Sequence, residues 1–173
     1  MPQLSIGNLV LGNKPAIKSF QYGYINMNGV SSNTATINAV DTNNAFVVWI
    51  FSDGNADDAR GSAGKVVLTN STTVTASRTT SETQLNVWYN VIEYYPGIIK
   101  SKQIVSRNDS GTINISTINK NKTFWYTQGC TTTNTGTAEN GICYITNITS
   151  TTVTAATTWG STTTMYFAIV EFY

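Results

Sequence analysis

Histidine is absent from the 173 residues. That removes the usual general base, every Ser–His–Asp or Cys–His triad and every histidine metal ligand. Chemistry would have to come from nine acidic residues, ten Lys and Arg, two Cys and the hydroxyls. Glu93 and Glu171 could act as the paired carboxylates of a glycosidase. They close two similar stretches, Val91-Ile92-Glu93-Tyr94-Tyr95 and Ile169-Val170-Glu171-Phe172-Tyr173. Equivalent positions in a repeat read more simply as one structural device used twice, a carboxylate pairing with Lys or Arg at a strand end. Asp53, Asn55 and Asp57 set oxygens at alternate positions, as the opening of a calcium loop does. Asp58 stands where that loop needs glycine and Gly64 where it needs glutamate, so a solvated polar turn is the plainer reading. No nucleophile elbow, phosphate loop or dinucleotide fingerprint occurs. The expectation is a protein without catalytic residues or cofactor.

Two further groups bear on binding. Trp49, Trp88, Trp125 and Trp159 could form a sugar platform if exposed together. Trp49 and Trp125 fall on matching strands of the two repeats, which favours the core; Trp159 follows a Thr-rich strand and is the candidate for carbohydrate contact. Cys130 and Cys143 flank a Thr/Asn/Gly loop. A hairpin there would oppose them and allow a disulfide, whereas synthesis in the cytosol favours two reduced thiols.

These residues need a scaffold, and composition narrows its type. Charged residues make up 11%, against an ordinary share of about 25%. Thr is about one residue in six and, with Asn and Ser, must cover the surface. Thr favours strands and Asn favours turns, which describes an all-β chain with many tight connections. A net charge of +1 without charge runs argues against a nucleic-acid groove. The longest apolar runs, 45–51 and 165–170, are strand-length and too short to span a bilayer. The first fourteen residues lack a basic n-region and a long apolar stretch, so synthesis in the cytoplasm is expected.

The chain reads as a tandem duplication with a period of about 78 residues. Ile17-Lys18-Ser19-Phe20-Gln21 returns as Ile99-Lys100-Ser101-Lys102-Gln103, and Thr36-Ile37-Asn38 as Thr112-Ile113-Asn114. Ser71 to Ala76 returns as Ser150 to Ala155, and the glutamate stretches close both units. Each unit carries about six strands; in the first they fall near 18–27, 34–40, 45–52, 65–69, 73–77 and 83–95. Two tandem antiparallel β-sandwich or jelly-roll-like repeats follow, at 17–95 and 96–173, joined by Tyr95-Pro96-Gly97. One continuous sandwich with the copies as halves is the alternative. Residues 1–16 stand outside the repeat as an arm. Its apolar Leu4, Ile6, Leu9, Val10 and Leu11 either dock on their own unit or reach a partner.

The order "IKSFQ", "TATINAVDTNNAFVVW", "VVLTNSTTVTASR" and "NVIEYY", closing the second time as "AIVEFY", resembles small β-sandwich virion proteins of tailed bacteriophages. The resemblance runs over residues 17–173 in two passes and rests on strand patterns; Thr123-Phe124-Trp125-Tyr126 departs from its aliphatic strand. It implies a non-enzymatic virion component, a capsid decoration, head-fibre or tail accessory protein. Such a protein self-associates, often as a trimer, and binds capsid or tail proteins rather than nucleic acid or membrane. The alternative is a receptor-binding tail accessory protein that recognises carbohydrate. For attachment to a shell, the arm residues Leu4, Ile6, Leu9, Val10 and Leu11 are the expected contact. Deleting residues 2–14 is expected to abolish assembly or docking while both sandwiches stay folded by circular dichroism. A truncated protein that keeps its mass in light scattering and its partner would remove that role.

Overall fold

Short β-branched segments broken by Asn, Gly and Asp turns leave almost the whole chain in strands. The computed structural model describes residues 10–11, 14–54, 59–81, 84–133, 135, 143–158 and 162–173. In chain order the strands are β1 (Val10–Leu11), β2 (Lys14–Pro15), β3 (Ile17–Asn26), β4 (Ser32–Thr36) and β5 (Ala45–Gly54), then β6 (Lys65–Asn70), β7 (Thr73–Ser77) and β8 (Leu85–Tyr94). After the Pro96-Gly97 turn come β9 (Ile99–Asn108), β10 (Gly111–Asn114), β11 (Thr123–Thr132), β12 (Cys143–Ile148), β13 (Thr152–Thr157) and β14 (Thr163–Phe172). One helical turn, α1 (Ala59–Ser62), precedes β6, and a 3-10 turn (Lys120–Lys122) precedes β11. No helix among the described residues is long and apolar enough to cross a membrane.

Every pairing is antiparallel. Sheet β3-β8-β5 faces strands β4-β7-β6; in the second half, β9-β14-β11 and β10-β13-β12 repeat the same orders, and β6 beside β11 joins two of these groups into one six-stranded sheet, β4-β7-β6-β11-β14-β9. Alternation builds the interiors. Leu85, Val87, Tyr89 and Val91 of β8 point inward onto Val66, Val74 and Ala76. In the second half Met165 and Phe167 meet Ala155, and Ile169 meets Val153 and Ile148.

The central strand of each half ends on a buried carboxylate, Glu93 at 2% exposure and Glu171 at 1%. Glu93 accepts from Lys18 Nζ at 2.8 Å, Ser19 Oγ at 2.9 Å and the Asp41 N–H at 2.9 Å. Glu171 accepts from Lys100 Nζ at 2.9 Å, Ser101 Oγ at 3.1 Å and the Asn119 N–H at 2.9 Å. A glutamine then pins the next segment: Gln21 Nε2 donates to Asn38 O and Gln21 Oε1 accepts from the Asn38 N–H, and Gln103 does the same with Ser116. These bonds correct the sequence alignment of one block. Ile37 and Ile115 donate to Thr72 O and Thr151 O, so Ile37 matches Ile115 rather than Ile113. A slip of two residues keeps each side chain on its face, so alternation could not reveal it. The second strand is also shorter than expected, 32–36 rather than 34–40, because Ile37 and Val40 bond to the turn at Ser71-Thr72 instead of a ladder.

The halves join through one edge. Lys65 on β6 pairs with Gly129 on β11, and the Cys130 N–H donates to Gly64 O at 3.2 Å. Gly129 has φ +97, and a Cβ there would lie 2.0 Å from Gly64 O, so only glycine permits this approach. Around it Phe46, Ile92 and Tyr94 of the first half bury against Tyr126, Ala168 and Val170 of the second. Burying a side chain such as Phe46 or Val170 contributes about 1.5–3 kcal/mol. Lys102 Nζ donates to Thr42 O at 2.6 Å and Ala45 O at 2.8 Å, and Lys65 Nζ lies 4.0 Å from the centre of the Tyr166 ring.

Burial alone would push the Glu93 carboxyl up; the donors from Asp41, Lys18 and Ser19 outweigh it and hold the group below its ordinary value. For Glu171 the Asn119 N–H leads and the net direction is again downward. A depressed carboxylate adds stability that is present above its unfolded value, about pH 4.3, and lost as pH falls towards the folded value. Glu171→Gln is expected to cost about 2 kcal/mol at neutral pH, since hydrogen bonds to a charged group are lost. Its stability should also fall less between neutral and acid pH than the wild type's, as thermal unfolding would record. Identical pH slopes would remove the carboxylate from the account.

Candidate binding face

The outward faces of the two β8-type sheets differ, and the difference begins in the strand that follows Ala45. A bulge between Trp49 and Phe51 shifts the register of β5 against β8, so Phe51, not Ile50, stands opposite Trp88. On the other side Tyr24 of β3 faces Trp88. The result is a row of three rings across three strands: Tyr24 and Trp88 have centroids 4.9 Å apart, and Phe51 and Trp88 are stacked at 5.4 Å. The next row holds polar groups. Asp53 Oδ1 accepts from Asn86 Nδ2 at 2.8 Å, and Asp53 Oδ2 accepts from Trp88 Nε1 at 3.2 Å. The bonds fix the indole plane. Tyr24 and Phe51 are exposed, Trp88 is partly so, and on the same face Tyr22 is 79% and Phe20 47% exposed.

In the second half Ser106, Tyr166 and Gly129 occupy the places of Tyr24, Trp88 and Phe51. There the first half's edge covers the middle of the face, with Lys65 over Tyr166. At the level of this row the face is therefore covered in the second half and open in the first, while the far end of the first half's face, at Phe46 and Ile92, is buried against the second half.

The residues singled out in the sequence fall in different places. Asp53 belongs to the aromatic row as an acceptor for Asn86 and Trp88; Asn55 and Asp57 lie outside the described residues. Among the described residues no three His, Cys, Asp or Glu side chains come together as metal ligands. Trp159 also lies outside the described residues, as do Leu4, Ile6 and Leu9 of the arm; Val10 and Leu11 pair with Pro15 and Lys14 in a short ladder. Trp49 packs against the first core, with its Nε1 donating to Ser52 Oγ at 3.1 Å. Trp125 does not share that role. It pairs with Ile169 where Val47 pairs with Val91, and it is 39% exposed.

Cys130 and Cys143 are free thiols, not a disulfide. β11 and β12 belong to different sheets and do not pair as a hairpin. They meet across the second sandwich instead. Hydrogen bonding with Cys143, together with burial, pushes the Cys130 thiol far up, and Cys143 donates weakly to Thr157 Oγ1 at 3.7 Å. Glu93 and Glu171, each enclosed by its own donors, face no common space. A shallow groove beside Ile118, Lys120, Asn147 and Ile148 holds one cation and no carboxylate.

The row of rings is the feature that sequence reading missed. Tyr24 and Phe51 gave no signal because neither the bulge nor the three-strand adjacency is visible in local pattern; only the placement of Trp88 beside asparagines on one face of β8 hinted at it. Chemically the row offers flat apolar surfaces bordered by an acid and an amide, which suits stacking and hydrogen bonding rather than proton transfer. The chain matches no family model, no curated protein and no solved structure.

Proposed function

We propose that the chain is a non-enzymatic structural protein of a virion, built as two copies of one sandwich unit, that self-associates and binds a repetitive shell. The observation that carries this reading is the aromatic face of the first half, left open where its equivalent in the second half is covered. Open apolar patches bordered by polar residues mark interaction surfaces. Three further features support it. The surface is neutral and rich in Thr and Asn, which lets copies pack closely with little mutual repulsion. Glu93 and Glu171, the buried carboxylates whose values are shifted downward, sit in separate clamps, one in each half. The sequence resemblance to tailed-phage sandwich proteins points the same way.

One observation favours a second reading. A fixed indole between two further rings, beside Asp53 and Asn86, is also what a carbohydrate-binding accessory protein would present to a pyranose. Light scattering on the purified chain separates the two. A discrete mass above that of one 18.8 kDa chain is expected. A monomer that binds immobilised glycans through Trp88 would overturn the structural reading in favour of the second.

A further inference from the structure

The chain has two cysteines, and the fold brings them together from different sheets of the second sandwich. Cys130 lies on β11, opposite Met165, and is buried; Cys143 opens β12, opposite Thr157, and is half-buried. Cys143 packs on the core formed by Ala155, Met165 and Phe167. The two thiols lie within hydrogen-bonding reach of each other, and Cys143 also reaches Thr157 Oγ1 at 3.7 Å. Both are free in the structure.

The first half measures the same spacing independently. Val87 and Met165 both stand six residues before the clamp glutamates. Ser52 pairs with Val87 as Cys130 pairs with Met165, so Ser52 holds the place of Cys130. Ser77 and Ala156 both follow the repeated Ser-Thr-Thr-Val-Thr-Ala block, and Lys65 pairs with Ser77 as Tyr144 pairs with Ala156. Gly64, one residue earlier, therefore holds the place of Cys143. A Cβ at Gly64 would lie 3.6 Å from Ser52 Oγ. In a disulfide the Cβ atoms stand about 3.5–4.5 Å apart, so the frame brings side chains at these two positions into the range that the bond needs. In the first half no link can form: Gly64 has no side chain, and Ser52 Oγ accepts from Trp49 Nε1 at 3.1 Å. The second half has cysteine at both places and Thr127 where Trp49 stands.

We propose that Cys130 and Cys143 form a reversible disulfide that staples β12 to β11 when the chain passes from reducing to oxidising surroundings. This goes beyond the reading above and holds whether or not the protein belongs to a virion. Among the described residues β12 pairs only with β13, so the bond gives it a second, covalent attachment. It also sits beside the junction between halves, where the Cys130 N–H donates to Gly64 O. The oxidant is a small-molecule disulfide such as oxidised glutathione. Cys143 is the member that solvent reaches, and hydrogen bonding with Cys130 outweighs burial and holds its thiol below the ordinary value. Its thiolate attacks one sulfur of the small disulfide and expels a small thiolate, leaving a mixed disulfide. The Cys130 thiol gives its proton to the expelled thiolate, attacks the Cys143 sulfur and releases the second small thiolate. The chain loses two electrons and two protons, and one small disulfide becomes two thiols.

The test uses the full reduced chain, incubated under native conditions with oxidised glutathione, then denatured, alkylated and weighed by mass spectrometry. Two alkylated thiols are expected before oxidation and none after, with a peptide joining Cys130 to Cys143. Dithiothreitol should restore both thiols. Closing the loop between them should raise the midpoint of thermal unfolding by about 5–10 °C. Cys130→Ser should halt at the mixed disulfide and keep one glutathione on Cys143, which the wild type does not retain; near-UV circular dichroism checks that the variant folds. Three results overturn the proposal. A wild type that keeps both thiols alkylatable, or holds glutathione without closing, would show that the sulfurs do not meet. A bond between two chains, seen as a doubled mass in non-reducing electrophoresis, would make the cysteines an intermolecular joint. A bond within the chain that lowers the unfolding midpoint would be a strained product of oxidation and not a staple.

Discussion

A carboxylate buried without partners costs several kcal/mol, so the chain that buries Glu93 and Glu171 must bring donors to them. In each half those donors come from two other segments. The first long strand, β3 or β9, brings Lys and Ser, and the turn before β5 or β11 brings the backbone N–H of Asp41 or Asn119. The central strand is thereby tied to both of its neighbours at one end. This fixes the register of the three-stranded sheet on which everything else is mounted. Ile92 and Val170, one residue before the glutamates, are then held on the outward face where the halves meet. The aromatic row lies further along the same face, set by the same register.

Much of this was legible because it is local or repeated. The glutamate stretches, the Ile-Lys-Ser openings and the Ser-Thr-Thr-Val blocks recur in order, and antiparallel alternation places them. The pairing of Glu93 with Lys18 connects residues 75 apart, yet the repeat pointed to a structural role for it. What escaped were features set by irregularity. The bulge that turns Phe51 outward follows from packing rather than from residue type. The two-residue error in aligning Ile37 arose because period-two patterns are blind to even slips. Spacing alone left open whether Cys130 and Cys143 flank a hairpin; their strands lie in different sheets. Trp125 looked like core because its strand is equivalent to that of Trp49, although its position is not.

The two halves share topology and have parted at their surfaces. Where the second half has Gly129, the first half's edge approaches to backbone contact; where the first half has Phe51, a ring closes that approach. Lys65 and Tyr144 differ in the same sense, one reaching over a ring within the chain and the other left facing outward.

The central proposal is that the open Tyr24–Trp88–Phe51 row is a contact surface of the assembled protein. The most direct measurement is an electron cryomicroscopy structure of the assembled wild-type protein. The proposal predicts Tyr24, Trp88 and Phe51 buried against a neighbouring subunit. An assembly in which the Tyr24–Trp88–Phe51 row faces solvent would contradict it.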